Sequence, residues 1–257
     1  MNHIFNSILL VLMVALSPLA GFAATLNDDA NAKVFEVTFN QLLKAHTEPT
    51  RAEGISYIGV DYAAWAKDAN HSKAMNALRE VEGLANATPD ERMAFWINAY
   101  NLLTIDLITS KNEKTSIKNL GSLIQSPWKI YRWQVAGQSV TLDQIEHRIL
   151  RPMGDARVHM AINCASISCP DLRQEAYTAS TLGQQLNDQT RKALSNTSKV
   201  LRYDAASNTL YLSSIFKWFA EDFKPDTLTW LKPYIKGLPA DATIQYMPYN
   251  WGLNKTN

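Results

Sequence analysis

The residue types that could catalyse a reaction concentrate in one part of the sequence, at Glu146, His147, His159 and Cys164. A cysteine thiol becomes a strong nucleophile at neutral pH when a nearby base or positive charge lowers its pKa. The base in turn needs a third group that fixes its tautomer. These residues predict Cys164 as a nucleophile, a histidine as its base, and Glu146 as the carboxylate that orients the base.

The choice between the two histidines depends on the local structure. Residues 157–162 are expected to form a β-strand that runs directly into the cysteine loop. Alternation along that strand would place His159 and Asn163 on one face, which favours His159 as the base. His147, on a predicted helix, is the alternative. Asn163 or backbone N–H groups would stabilise an oxyanion, so the expected chemistry is acyl transfer or the hydrolysis of an amide or thioester.

Cys169, the second of only two cysteines, supports another interpretation. In an oxidising compartment Cys164 and Cys169 could form a short-loop disulfide that fixes the end of the strand. The protein would then be a non-catalytic binding or assembly protein, with an aromatic-rich cleft for a peptide or small ligand. A thiol–disulfide redox role is less well supported, because four residues separate the cysteines where such chemistry normally uses two.

Other classes of function find no support. A metal site built from His147, His159, Cys164 and a carboxylate would lack a close ligand pair such as CxxC or HExxH, so no metal is predicted. The sequence has no GxGxxG, P-loop or GxSxG motif, and we expect no cofactor. Because 25 Lys and Arg nearly balance 24 Asp and Glu, no nucleic-acid partner is expected.

The central positioning element is a helix predicted over about residues 89–109. Thr88, Pro89 and Glu91 provide an N-cap, a first-turn proline and a capping box. The residues that follow are apolar on nearly every side of the helix, so it should be buried on most sides. Its polar exceptions are Asn98 and Asn101, which must be hydrogen-bonded if buried. Two uses are open for these amides: capping loop carbonyls, or binding the substrate together with Trp96 and Tyr177.

The rest of the chain mixes helices with short hairpins. Hairpins are expected over residues 129–142 and 200–212, and Thr141 with Gln144 forms a second capping box. Trp218 and Phe219 have the helical spacing of core residues. Because strands and helices do not alternate regularly, the prediction is an α+β fold in a single domain, with short antiparallel hairpins and other helices packed around the central helix.

The N terminus predicts export. An apolar run from Ile4 to Ala20 precedes the small residues Gly21 and Ala23, as in a signal peptide cleaved after Ala23. A retained membrane anchor is the alternative, but the unbroken apolar stretch is shorter than the ~20 residues of a span. We therefore expect a signal peptide at 1–23, a single domain at 24–257 without a stable membrane span, and a periplasmic or secreted protein acting on a peptide or small molecule of the cell envelope.

Five motifs follow one another along the chain: FWINAYNLLTI, IEHRILRP, VHMAINCASISCPDL, IFKWFAEDF and YNWGLN. Together they resemble the family of bacterial and plant proteins known as domain of unknown function 547, with a family-like core of about residues 95–254. The resemblance implies an exported bacterial member. It also implies that Glu146, His147 and His159 belong to a shared pattern.

The same resemblance bears on the cysteines. It implies a retained Cys164, whereas plant-type members tend to have Ser at the position of Cys169. This favours a functional thiol over a shared disulfide. A papain-like or transglutaminase-like arrangement would require a permuted topology, because here His159 precedes Cys164.

Overall fold

Helices outnumber strands in the computed structural model, which describes residues 25–256; the signal peptide predicted for 1–23 lies outside the described residues. The α-helices are α1 (Ala30–His46), α2 (Tyr62–Trp65), α3 (Ala69–Arg79), α4 (Pro89–Ser110), α5 (Pro127–Ile130), α6 (Leu142–Gln144), α7 (Leu182–Ser195), α8 (Ile215–Trp218) and α9 (Thr227–Leu231). The strands are β1 (Thr47–Ala52), β2 (Ile55–Val60), β3 (Trp133–Val135), β4 (Gln138–Val140), β5 (Leu201–Asp204), β6 (Thr209–Leu212) and β7 (Thr243–Tyr246). A π-helix (Ile145–Leu150) and short 3₁₀ turns, among them Ala156–Met160 and Ala220–Asp222, complete the described elements.

Helix α4 is the buried centre of the fold, as predicted. The Thr88 hydroxyl accepts a hydrogen bond from the Glu91 N–H at 3.3 Å, and the Glu91 carboxylate accepts one from the Thr88 N–H at 2.7 Å. This capping box satisfies two amides that the first turn would otherwise leave without partners. Most side chains of α4 are buried, among them the large Trp96 and Tyr100. Burial of so much apolar surface makes α4 the fixed frame for the elements around it.

Within residues 25–256 the strands form three small sheets. β1 pairs with β2 and β3 pairs with β4, each as an antiparallel hairpin. In the third sheet β5 and β6 are antiparallel, and β7 joins β6 in the parallel direction. The α+β prediction is confirmed, with sheets that are separate from one another.

The strand predicted over residues 157–162 is wrong. The chain there forms the 3₁₀ turn Ala156–Met160, capped by Asp155, whose carboxylate accepts a hydrogen bond from the Arg157 N–H at 3.0 Å. The Ala161 N–H then bonds to the Val158 carbonyl at 2.9 Å. Because these local bonds satisfy the backbone groups that a strand would share with a neighbour, the capping carboxylate outweighs the β-branched residues.

Two hydrophobic clusters stabilise the described chain. The larger surrounds α4, where Phe35 of α1 meets Phe95 edge-on with ring centroids 5.7 Å apart. The smaller lies under the third sheet and includes Phe216 and Phe223, both fully buried. Along residues 25–256 no helix combines the length and the apolar character that crossing a membrane would require.

Candidate functional site

A cavity of about 220 Å³ brings together the four residues that the sequence singled out for chemistry. Glu146, His147, His159 and Cys164 all line it, although they come from a π-helix, a 3₁₀ turn and a loop. The remaining lining residues are Tyr100, Ser126, Trp128, Asp143, Ile162, Cys169, Ile215, Trp218, Phe219, Tyr249 and Trp251.

The loop that carries Cys164 is tightly braced. Ala165 adopts a left-handed backbone with φ of 59°, which a non-glycine residue holds only when its surroundings enforce it. Asn163 supplies part of that enforcement, because its side chain accepts from the Ala165 N–H at 2.9 Å and donates to the Pro170 carbonyl at 2.8 Å. Asn163 is buried and does not line the cavity, so its amide holds the loop.

Two distant parts of the chain hold the same loop from outside. The Ile167 N–H donates to the Gly252 carbonyl at 2.8 Å, and the Asn254 N–H donates to the Ala165 carbonyl at 3.1 Å. From the other side the buried Lys199 ammonium donates to the carbonyls of Ile167 and Cys169, at 3.1 and 2.7 Å. The thiol is therefore presented from a rigid loop.

The thiol of Cys164 is partly exposed and surrounded by hydrogen-bonding groups. Its sulfur lies 3.1 Å from the Ser166 hydroxyl and 3.3 Å from the Tyr249 hydroxyl. Burial opposes ionisation, but hydrogen bonds from Cys169, Ser166 and Tyr249 outweigh it and lower the pKa of Cys164 to about 6. Hydrogen-bond donors thus favour the thiolate, a role that the sequence analysis gave to a histidine.

Cys164 and Cys169 are both free thiols in this structure. The Cys169 sulfur accepts a hydrogen bond from the Cys164 N–H at 3.0 Å. Burial raises the pKa of Cys169 well above its usual value, so this thiol stays protonated. The two thiols therefore differ in acidity. Cys164 ionises easily, and Cys169 stays protonated and stabilises the Cys164 thiolate through a hydrogen bond.

Glu146 faces the cavity from the π-helix Ile145–Leu150, a conformation found often at functional sites. Burial, and secondly the charge of Cys164, raise the pKa of Glu146 to about 7, although a hydrogen bond from the Tyr100 hydroxyl at 3.2 Å acts in the opposite direction. The carboxyl can therefore carry a proton near neutral pH, which is the property of a general acid.

His159 is oriented by Asp222 rather than by Glu146. Its Nε2 lies 2.7 Å from the Asp222 carboxylate, and its ring stacks on Phe219 with centroids 4.3 Å apart. Burial lowers the pKa of His159 more than Asp222 raises it, so the ring is neutral at neutral pH. A neutral ring that donates from Nε2 keeps the lone pair on Nδ1, as a base requires.

His147 is more exposed, and Arg151 engages its Nδ1 at 2.9 Å. Because a guanidinium can only donate, this nitrogen must be the acceptor. Burial lowers the pKa of His147 as well. The lone pair of His147 is thus already occupied, and of the two histidines His159 is better arranged as a base.

Four aromatic side chains form one wall of the cavity, which we call the aromatic wall: Trp128, Trp218, Tyr249 and Trp251. Trp251 contacts the other three, with centroid separations of 4.6 to 5.9 Å. The assignment of Trp218 to the core is wrong, because 47% of its surface is exposed. Helical spacing could not show this, since α8 ends at Trp218 and leaves that side chain at the surface.

The residues predicted to bind substrate lie elsewhere. Asn98 donates to the Tyr177 carbonyl at 2.8 Å and accepts from the Tyr177 N–H at 2.9 Å. Asn101 makes the same pair of bonds, to the Ala161 carbonyl and from the Asn163 N–H. Both amides therefore tie loops to α4. Trp96 and Tyr177 are almost fully buried, and none of these four side chains lines the cavity.

Sequence reasoning missed Ser166, Asp222, Tyr249 and Trp251. Ser166 lies beside Cys164 in the chain, and Tyr249 and Trp251 belong to the YNWGLN motif, which was a usable signal. Asp222 had none. Within residues 25–256 no three His, Cys, Asp or Glu side chains are grouped closely enough to hold a metal ion.

Fold and cavity together define an α+β protein with a candidate thiol-dependent site between its central helix and its C-terminal segment. Residues 84–193 match the family described as protein of unknown function, DUF547. The matched residues include Glu146, His147, His159 and Cys164 and end before Tyr249, so the motifs at 215–223 and 249–254 lie outside the match. No curated protein and no solved structure matches the chain.

Proposed function

We propose that the protein is a cysteine-dependent acyltransferase or hydrolase, with Cys164 as its nucleophile. The observation that carries the proposal is the shared cavity of an acidic thiol and a weakly acidic carboxyl. With pKa values of about 6 for Cys164 and about 7 for Glu146, thiolate and protonated carboxyl coexist near neutral pH. That combination supplies a nucleophile and a proton donor together.

In the first step the Cys164 sulfur attacks the carbonyl carbon of a thioester, amide or ester. A carbon–sulfur bond forms, and the bond to the leaving group breaks. Glu146 gives its proton to the leaving group and becomes a carboxylate. The products are an acyl-enzyme and the free thiol, amine or alcohol.

In the second step water, or another acceptor with a hydroxyl or amine, attacks the acyl-enzyme. His159 takes the proton of the attacking group through Nδ1, while Asp222 holds the ring in the required tautomer. The carbon–sulfur bond breaks and the thiolate returns. His159 then loses its proton to solvent, and Glu146 regains one.

The negative charge that develops on the acyl oxygen needs hydrogen-bond donors. The Cys164 N–H already donates to Cys169, and the Asn163 amide is engaged in the loop. The hydroxyls of Ser166 and Tyr249 lie beside the sulfur, at 3.1 and 3.3 Å, and the Ser166 hydroxyl also donates to the Tyr249 hydroxyl at 3.2 Å. As charge leaves the sulfur, these donors can turn to the oxyanion, so we assign them its stabilisation.

The place of action is part of the proposal. The apolar run and small residues at the N terminus support export, and a periplasmic or secreted protein would meet acylated peptides and small molecules of the cell envelope. The aromatic wall supports an acyl group with an apolar or planar part, because aromatic rings bury such surface well.

The acyl-enzyme can be trapped directly. We expect incubation with a nitrophenyl ester or a small thioester to add one acyl group to Cys164, read by intact mass and peptide mapping. Cys164→Ser should abolish the adduct, because an un-ionised hydroxyl is a far weaker nucleophile.

Cys169→Ser is the matched control, since it removes the other thiol. Its product should still carry an acyl group on Cys164. Acylation of Cys169, or saturable binding of acyl compounds without any adduct, would instead favour the non-catalytic binding protein.

A further inference from the structure

An exposed apolar tip projects beside the cavity, on the loop between the 3₁₀ turn Ile117–Leu120 and α5. Leu123 is 105% exposed and Ile124 is 91% exposed, the highest values among the large hydrophobic residues exposed along the described chain. Exposing two adjacent aliphatic side chains so completely is costly in water. They are therefore candidates for contact with something outside the chain.

The tip is a turn closed by hydrogen bonds. The Ser122 N–H donates to the Gln125 carbonyl at 2.9 Å, and the Gln125 N–H donates to the Ser122 hydroxyl at 3.1 Å. At Gly121 an added Cβ would lie 2.5 Å from the Gln125 carbonyl oxygen, so the turn closes tightly there. These contacts direct Leu123 and Ile124 outward.

Basic residues flank the tip on both sides in the sequence. Between positions 111 and 132 the chain has five basic residues and one acidic residue, although its overall charge is close to zero. The acidic one, Glu113, accepts hydrogen bonds from the backbone N–H groups of three residues that follow it. Asp143 of α6 lies 3.7 Å from Lys129. The basic residues, all exposed, are Lys111, Lys114, Lys118, Lys129 and Arg132.

We propose that the tip at Leu123 and Ile124 docks on an anionic lipid bilayer. The two aliphatic side chains insert between lipid headgroups while the flanking lysines contact phosphates. A protein partner fits less well, because a stable interface buries about 800 Å² on each side and two side chains on a narrow turn offer far less.

Docking in this way would place the cavity close to the bilayer. Ser126 and Trp128, a few residues after the tip, line the cavity, and Trp218 of the aromatic wall is exposed. Tryptophan is favoured at the membrane–water interface, where one part of the ring is apolar and the N–H is hydrated. Docking through this surface requires no reaction at Cys164.

Co-sedimentation with vesicles tests the proposal. We expect binding to vesicles of phosphatidylglycerol and phosphatidylcholine and much weaker binding to phosphatidylcholine alone. The double variant L123S/I124S should bind about tenfold or more weakly, because it loses the inserted apolar surface. The double variant K114Q/K129Q should bind anionic vesicles more weakly, by severalfold for each lysine removed. Raised salt should also weaken the binding of the wild type to these vesicles.

V37S is the matched control, since Val37 is 54% exposed on α1 and lies outside the basic segment. All the variants share residues 1–24, so any contribution of this segment to vesicle binding is the same in each of them. Cys164→Ala should bind vesicles like the wild type, which separates this test from that of the acyl chemistry.

Equal binding by L123S/I124S and the wild type, or equal binding of the wild type to neutral and anionic vesicles, overturns the proposal. So does a change of oligomeric state in L123S/I124S without loss of vesicle binding, which would make the tip a contact between two copies.

Discussion

Replacing Glu146 by Gln should reduce kcat/KM by roughly 10²- to 10⁴-fold, the usual contribution of a general acid. The substitution removes the proton that the leaving group needs but retains an amide oxygen that can accept from the Tyr100 hydroxyl. The site should therefore keep its shape. The substrate for this assay is any acyl compound that forms the adduct on Cys164.

The pH dependence separates this role from a structural one. In the wild type kcat/KM should rise with pH as Cys164 ionises, with a pKa of about 6, and fall as Glu146 loses its proton, with a pKa of about 7. In Glu146→Gln the acid limb should remain and the alkaline limb should disappear, because the amide does not titrate. Glu48→Gln, an exposed change on β1, is the control. An unchanged alkaline limb in Glu146→Gln would remove Glu146 from the mechanism.

Replacing Lys199 by Met should lower the free energy of unfolding by roughly 3 kcal/mol or more. Lys199 is buried, and its ammonium donates to two carbonyls of the cysteine loop and, at 2.6 Å, to the Asp171 carboxylate. Methionine fills a similar volume but donates nothing. The carbonyls of Ile167 and Cys169 would lose this donor, and Asp171 would lose its cation.

Urea unfolding measures this change. Lys192→Met is the matched control, because Lys192 is 66% exposed and pairs with Asp188 within α7. Its effect should stay below about 0.5 kcal/mol, as for other surface ion pairs. If Lys199→Met lowered the free energy of unfolding by as little as Lys192→Met, the cysteine loop would not depend on Lys199. The rigidity of the loop that carries Cys164 would then have another source.

Features set by neighbouring residues could be predicted from the sequence. The capping box at Thr88 and Glu91 places the start of α4 correctly, because an N-cap depends on only four consecutive positions. The second box at Thr141 and Gln144 is also present, but regular α-helix ends at Gln144 and a π-helix follows. That π-helix aims Glu146 into the cavity, and no spacing rule anticipated it.

His159 and Cys164 line one cavity, but the strand that was predicted to place them together is wrong. The sequence suggested a strand, whereas the capping carboxylate of Asp155 produces a turn that still brings His159 to the cavity. Contacts between residues that are far apart in the chain could not be predicted from the sequence. Tyr249 is 85 positions from Cys164, and Asp222 is 63 positions from His159, so the packing of the C-terminal half decides both contacts. For the same reason the predicted orienting carboxylate was Glu146, which precedes His147 in the chain, and not Asp222.

The most direct experiment measures the rate at which iodoacetamide alkylates Cys164 in the native protein from acidic to alkaline pH, by intact mass and peptide mapping. Only the thiolate reacts, so the midpoint of the profile reports the pKa of Cys164. We predict a midpoint near 6, and a higher one in Tyr249→Phe, which lacks one donor to the sulfur. A wild-type midpoint near the unperturbed value of about 8.5 would contradict an ionised nucleophile and leave Cys164 as an ordinary thiol.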